Sequence, residues 1–367
     1  MAGSSPAKTK VRDFNIFTCA FAGILRWYER TQLPNFVAQE LHRRRCLISG
    51  DISMLNRRTF VKAGAALLAA PSLARAQSET VIRMGALKLI HSIAPYFYAK
   101  FTPAGYRVDV IPFESPTECK NGVVTKSVDF GVFGIAAGIL GAAAKEPLVI
   151  VGSCCNKGMA IIAKKDSGIA SIKDLKGKRV AIWPGSTQEV FIRERLRMEG
   201  MSIKDVESVR ISFSEMNLAL ARGDVDAYVG AEPGPGVSIS TGVGTLVEYP
   251  YSTPMGSLNM VFGAHAETVA QRPELVKVIL EIHRKASEYA MAHPGEMIDM
   301  AVAKLGQKRE ALLVSVPNVD LNWRMTPEMI GAAKTYAQQM VELKQIKQVP
   351  DFSAFFNTSF SDELAKA

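Results

Sequence analysis

From Val81 onward, short apolar strand-like runs alternate with helix-like segments, and the alternation starts twice. In the first series, residues 81–85 read as a strand, with a helix near 94–101. Residues 106–111 alternate as a second strand, and Pro116 sits early in a helix start at 114–117. Residues 127–133 form a third strand, an Ala/Gly-rich helix follows to Ala144, and 148–151 is a fourth strand. That βαβαβαβ spacing predicts a parallel sheet with helices on both faces. The second series begins near Gly158. It comprises an apolar run at 159–163, a polar helical turn at 171–178, strands at 179–182, 209–213, 225–229 and 246–249, and helices at 186–198 and 215–222. Residues 260–263 read as a strand returning to the first sheet, before helices near 273–292, 295–304 and 327–344. In the 273–292 segment, Leu275, Val278, Ile279, Ile282, Ala286 and Tyr289 share one face. The expectation is an α/β fold of two lobes, the second inserted into the first. Lobe one would comprise 77–157 and 255–367, and lobe two 158–254, with a hinge at the two crossings and a cleft between.

Upstream lies a segment of another kind. Residues 54–76, MLNRRTFVKAGAALLAAPSLARA, place Arg57-Arg58 before a short apolar run, then Pro71 and Ala74-Arg75-Ala76. Basic residues, apolar run and small-x-small site occur in the order of an export signal. The arginine pair followed by Phe60 and Lys62 resembles the twin-arginine pattern, with Asn56 and Val61 departing from its commonest form. The run is too short for a membrane span, which needs ~20 apolar residues. Residues 1–53 carry basic runs and one short apolar stretch. Translation from Met54 would make them a mis-assigned leader, and the alternative is a long removable one.

Removal of this leader changes the meaning of the charge. The formal net charge is +9. Residues 1–53 and 54–76 hold +4 each, leaving +1 for 77–367. The basic balance therefore gives no support for nucleic-acid binding. Cys119, Cys154 and Cys155 remain after cleavage. A disulfide from Cys119 to either member of the adjacent pair is compatible with an oxidising compartment. Buried free thiols are the favoured alternative. There is no C-x-x-C or His/Cys zinc spacing, and neither a metal nor another cofactor is expected.

Ligands of open α/β sheets lie at the carboxyl ends of the strands. The ligand candidates so named are His91, Glu114, Ser115 and Gly134 in the first lobe, and Ser186, Thr187, Gln188 and Glu232 in the second. Ser186 to Glu189 opens a helix, whose free N–H groups suit an anion or a polar atom. The same Ser-x-x-Glu is a capping box, in which the helix satisfies itself. Glu232 precedes a Gly/Pro-rich loop, and it is either a ligand acceptor or a carboxylate partnered within the protein. His91 is either a ligand contact or a loop residue. If Glu114 and Glu232 both face the cleft, they favour a solute that donates hydrogen bonds over a bare anion. No Gly-x-Ser-x-Gly elbow, P-loop or Gly-x-Gly-x-x-Gly marks a catalytic site, so no catalytic residue is assigned.

The phrases 127–132 (SVDFGV), 174–181 (DLKGKRVA) and 220–228 (LARGDVDAY) resemble the solute-binding proteins of ABC importers. The most similar branch is the group for nitrate, sulfonates, taurine and thiamine-pyrimidine precursors. The resemblance covers most of residues 80–345. It implies a periplasmic-binding-protein fold of type II, each lobe a mostly parallel sheet flanked by helices. It also implies a periplasmic protein that closes on a small polar solute and presents itself to an inner-membrane ABC permease, with the twin-arginine machinery as its export partner. Two alternatives stand beside that reading. One is a periplasmic ligand sensor that docks on a receptor. The other is an enzyme like the eukaryotic thiamine-pyrimidine synthases of the same superfamily, which place a Lys and a His after the third strand. Here 134–138 is GIAAG, and 255–260 lacks the Cys-rich run of those enzymes.

Overall fold

A computed structural model describes residues 79–366. The export-signal segment 54–76 and the preceding 1–53 lie outside the described residues. The first sheet contains β1 (Thr80–Leu87), β2 (Tyr106–Phe113), β3 (Phe130–Gly134), β4 (Leu148–Lys157), β10 (Leu258–His265) and β11 (Val319–Leu321). Its spatial order is β11-β4-β10-β3-β1-β2. The second sheet, ordered β7-β6-β8-β5-β9, contains β5 (Met159–Lys164), β6 (Arg179–Ile182), β7 (Glu207–Arg210), β8 (Ala227–Ala231) and β9 (Gly244–Glu248). In both, β1–β3 and β6–β8 are parallel trios. Central strands covered on both faces read as unbroken apolar runs, and β3 and β10 are buried at every position.

The sheets depart from the expected run of parallel neighbours: β11 is antiparallel to β4, and β5 is antiparallel to both β8 and β9. β4 points the same way as β3 but is not its neighbour. The returning β10 lies between them, antiparallel to both. A strand that comes back from the other sheet arrives from the opposite end, so the apolar slot beside β3 takes it in reverse. Strand β7 occupies Glu207–Arg210 and not 209–213. It is an edge strand with one neighbour, so its exposed side is polar and the apolar residues after it leave the sheet.

The helices are α1 (Pro116–Val124), α2 (Ile135–Ala143), α3 (Thr187–Met198), α4 (Met216–Arg222), α5 (Gly234–Ser240), α6 (Ala266–Gln271), α7 (Pro273–Ala292), α8 (Pro294–Leu305), α9 (Arg309–Ser315), α10 (Pro327–Glu342) and α11 (Ser359–Leu364). Helix α5 forms where a rigid loop was expected. Pro235 is tolerated because the first turn of a helix needs no N–H from it. The chain passes to the second sheet at Gly158, whose φ of 76° is left-handed, and returns between Glu248 and Leu258. None of the described helices is long and apolar enough to cross a membrane. Cys119, Cys154 and Cys155 are buried free thiols.

The apolar face of α7 is wider than expected, since Val276, Leu280 and His283 are buried with Leu275, Ile279, Ile282 and Ala286. His283 joins three elements. Its Nε2 lies 2.8 Å from the Ser153 carbonyl and its Nδ1 2.8 Å from the Tyr98 hydroxyl. A carbonyl can only accept, so Nε2 carries the proton and Tyr98 donates to Nδ1. Burial holds the ring neutral, pulling its pKa down to about 4 against contacts with the Ser153 and Asn322 backbone. In the unfolded chain the ring titrates near ~6.5. The unfolded state therefore binds a proton that the folded state refuses. This stability is whole above pH ~6.5 and is lost as pH falls toward the folded pKa. The loss is about 1.4 kcal/mol per pH unit within that window. Urea denaturation at several pH values should give His283→Gln a lower stability at pH 7.5 than the parent. Below pH ~6 the slope of its stability against pH should be shallower by about that amount. An unchanged slope would show that His283 is not held neutral.

Candidate functional site

The strand ends of both sheets meet in one cleft. After β1, Ile90–Ser92 forms a 3-10 turn, and the Ser92 hydroxyl accepts from the Leu87 amide at 2.9 Å. That turn fixes His91, which is 1% exposed. After β2, Ser115 caps α1, its hydroxyl accepting from the Glu118 amide at 3.2 Å. Gly134 ends β3 and opens α2. In the second sheet, Ser186 caps α3, accepting from the Glu189 amide at 3.1 Å and donating to the Trp183 carbonyl at 2.6 Å.

The innermost part of the cleft is lined by His91, Pro116 and Gly134 from the first sheet side, Gln188 and Phe213 from the second, and Asn259 on the return strand. About 180 Å³ lies between these atoms, with no room for a water molecule. Three sequence-derived candidates, His91, Gly134 and Gln188, are thus brought together. Thr187 stands at the same contact, its hydroxyl 3.3 Å from the Asn259 carbonyl. A methyl group on Gly134 would lie 2.6 Å from that hydroxyl, so the absence of a side chain is what lets the two lobes touch here. Farther out, between Lys88, Glu114, Phe213, Asn217, Pro233 and Lys308, the corresponding space widens to about 1100 Å³, of which water can enter about 430 Å³. Glu114 is there, ion-paired with Lys88 and exposed. Phe213 and Asn259 are lining residues that sequence reasoning missed. Phe213 had been placed inside a strand, and Asn259 precedes the apolar run by which β10 was recognised.

Glu232 occupies a different place. Its carboxylate is 1% exposed and turned away from a free acceptor role. One oxygen accepts from the Gly236 amide at 3.1 Å and the Ser315 hydroxyl at 2.7 Å. The other accepts from the Asn318 amide at 3.1 Å. Burial raises its pKa, opposed by these three donors. The condition under which Glu114 and Glu232 would favour a hydrogen-bond-donating solute is therefore not met by Glu232.

Helices α1, α2, α3 and α5 start around the cleft, and their first turns differ; in α5 the Gly236 amide is met by Glu232. Helix α1 has the Ser115 cap and Glu118, and α3 has the Ser186 cap and Glu189. Glu189 also accepts from the Gly185 amide at 2.7 Å and is paired with Arg193 at 2.8 Å. Those two helices satisfy their own positive ends. Helix α2 has neither a side-chain cap nor an acidic residue in its first turn, and Ile135, Ala136 and Ala137 are buried. The Ala136 and Ala137 amides have no turn, cap or loop carbonyl as partner. Helix-start amides without partners are positive and costly to bury. His91 adds a buried polar atom of the opposite kind, a ring nitrogen that accepts, since the protonated one faces the Glu232 backbone carbonyl. Its Nδ1 has no partner, and burial lowers the ring pKa to about 3, opposed by a weaker contact with the Glu232 backbone.

The NMT1/THI5-like family model matches residues 92–297, more than half of the chain. A protein of Brucella abortus (strain 2308), named as a candidate binding protein, is 27% identical over 259 residues, which is 67% of this chain and 78% of that protein. Among solved structures, the periplasmic aliphatic sulphonate binding protein SsuA from Escherichia coli is similar, with a TM-score of 0.67 and 17% identity over 77% of this chain and 94% of that one. The periplasmic nitrate-binding protein NrtA from Synechocystis PCC 6803 matches with a TM-score of 0.67 and 16% identity, over 78% of this chain and 89% of that one. At these identities the two solved structures speak to the fold.

The partners of Glu232 generate a prediction. Glu232→Ala would leave the Ser315 hydroxyl, the Asn318 amide and the Gly236 N–H without their acceptor. It should lower the unfolding free energy by about 2–3 kcal/mol in chemical denaturation. A loss under about 0.5 kcal/mol would mean that these bonds contribute little.

Proposed function

Because the chain belongs to the NMT1/THI5-like family, we propose that it is the extracytoplasmic solute-binding component of an ABC importer, and that its solute carries a small anionic group of the sulfonate or nitrate class. What supports this reading is the start of α2, beside the cleft-lining Gly134, where the helix amides have neither a side-chain cap nor a first-turn carboxylate. An oxyanion supplies what those groups lack. The names of the similar sulphonate-binding and nitrate-binding proteins support the same class. Amine- and pyrimidine-bearing solutes are less well served, because Glu232 is already satisfied by three donors and Glu114 is neutralised by Lys88.

In this reading the two lobes, 77–157 with 255–367 and 158–254, swing about the passages at Gly158 and 249–257 and close on the solute. Opening separates His91 and Gly134 from Thr187 and Gln188, which admits the anion between them, and Lys88 and Glu114 stand at the mouth. Export by the twin-arginine route through residues 54–76, work in the periplasm and delivery to an inner-membrane permease belong to the same proposal, which assigns the chain binding without turnover.

The test is a thermal-shift and calorimetric titration with ethanesulfonate, taurine and nitrate beside primary amines and an aminopyrimidine. At a hundred times Kd, a true ligand stabilises by about 2.7 kcal/mol. Stabilisation by at least one anion is expected, and stabilisation only by the amine or pyrimidine would sink the anion reading. Chemical consumption of a probe would replace binding by catalysis. Gly134→Ala should weaken binding of the active anion more than tenfold while leaving the circular dichroism spectrum unchanged.

A further inference from the structure

Helix α9 and the 3-10 turn after it, Val316–Asn318, lie in sequence between elements of the first lobe. Their packing points the other way. Helix α9 lies along α5 of the second lobe at backbone distance, and a methyl group on Gly236 would be 2.4 Å from the Ala311 carbonyl and 2.1 Å from the Ser315 hydroxyl. The Ser315 hydroxyl and Asn318 amide both donate to Glu232 at the end of β8. Asn318 then reaches the passages between the sheets. Its amide donates to the Met159 carbonyl at 3.0 Å, its carbonyl accepts from the Gly158 amide at 2.7 Å, and its side-chain oxygen accepts from the Tyr251 hydroxyl at 2.7 Å. On the first-sheet side, α9 meets the neighbouring α8, where Arg309 pairs with Asp299, and the two helices are joined by a short link at Gly306, where φ is 64°. After Asn318 the chain enters β11, which pairs with the end of β4.

We infer that residues 309–318 move as part of the second lobe, so that the chain crosses between the two moving bodies at four places: Gly158, 249–257, 306–308 and the Asn318–Val319 link. Two of these crossings are the ones that a discontinuous two-lobe plan requires. The other two come from a segment that leaves the first lobe, docks on α5 and returns. Opening then leaves the α5–α9 contact and the Glu232 bonds intact, and the contacts that separate are those of α3 with α2 and α10 across the cleft. A hinge of four strands restricts motion to one axis more tightly than two can. The inference rests on the lobe movement proposed above.

Distances between nitroxide labels test it. Labels on genetically encoded unnatural residues leave the native cysteines unused. The positions are exposed ones: Lys173 in the second lobe, Lys285 on α7 and Leu313 on α9. Each pair is measured in the full chain with and without the wedge Gly134→Val, which presses the cleft apart at Thr187. Thr187→Met supplies a wedge from the other wall should the first variant not fold. The expected result is that Lys173–Lys285 and Leu313–Lys285 both shift while Lys173–Leu313 stays fixed. A shift in Lys173–Leu313 with Leu313–Lys285 unchanged would overturn the inference and leave lobe movement standing. No shift in Lys173–Lys285 with either wedge would remove lobe movement itself, and the inference with it.

Discussion

Asn318 satisfies four groups at once, and the arrangement of the two sheets depends on where they belong. Gly158 and Met159 lie on the outgoing passage, Tyr251 on the returning one, and Glu232 at the end of a second-sheet strand. A buried polar side chain is tolerated when all its hydrogen-bonding capacity is used, and here that use ties together segments far apart in sequence. The left-handed turn at Gly158 is held by one of these bonds and packed by the ring of His91. The pivot and the bottom of the cleft are thus built from the same few residues. A change at one is felt at the other, because His91 touches the passage and the binding cavity together.

Around this pivot, the charge of the cleft is set by backbone more than by side chains. Glu189 is occupied by Arg193, Glu114 by Lys88 and Glu232 by neutral donors. What remains is the oriented start of α2 beside a neutral imidazole. If the cleft binds an anion as proposed, such a site would distinguish solutes by the number and direction of acceptor atoms, with room for the rest of the molecule in the wider outer space.

The alternation of periods two and 3.6 was enough to read the strands and long helices from residues, because most of them bury an unbroken apolar face. Helix α7 and strands β1, β4 and β10 are of this kind. Strand order was not legible. That β10 separates β3 from β4 depends on a return from the other sheet, and no local pattern encodes it. Helices α5 and α9 were also missed. In α5 the run GPGVSIS looks like loop composition until the close contact of Gly236 with Ala311 and Ser315 is seen, whereas α9 is only seven residues long, too short for a helical period to stand out. Among the candidates, the strand-end rule led to residues that line one cleft but not to the orientation of each side chain. Glu232 sits at a strand end like the others, and only the position of Asn318, 86 residues later, turns it away.

The uncapped start of α2 also bears on the protein without solute. Its first turn has neither a side-chain cap nor a carboxylate, and Ile135, Ala136 and Ala137 are buried. A buried amide left without an acceptor costs about 1–3 kcal/mol. If the cleft binds an anion as proposed, closure without solute carries this penalty and closure with solute does not. The same feature that attracts the ligand would then keep the closed shape scarce until a ligand arrives. A permease that recognises both lobes together would seldom meet an unloaded partner, and little of its ATP would be spent on empty cycles.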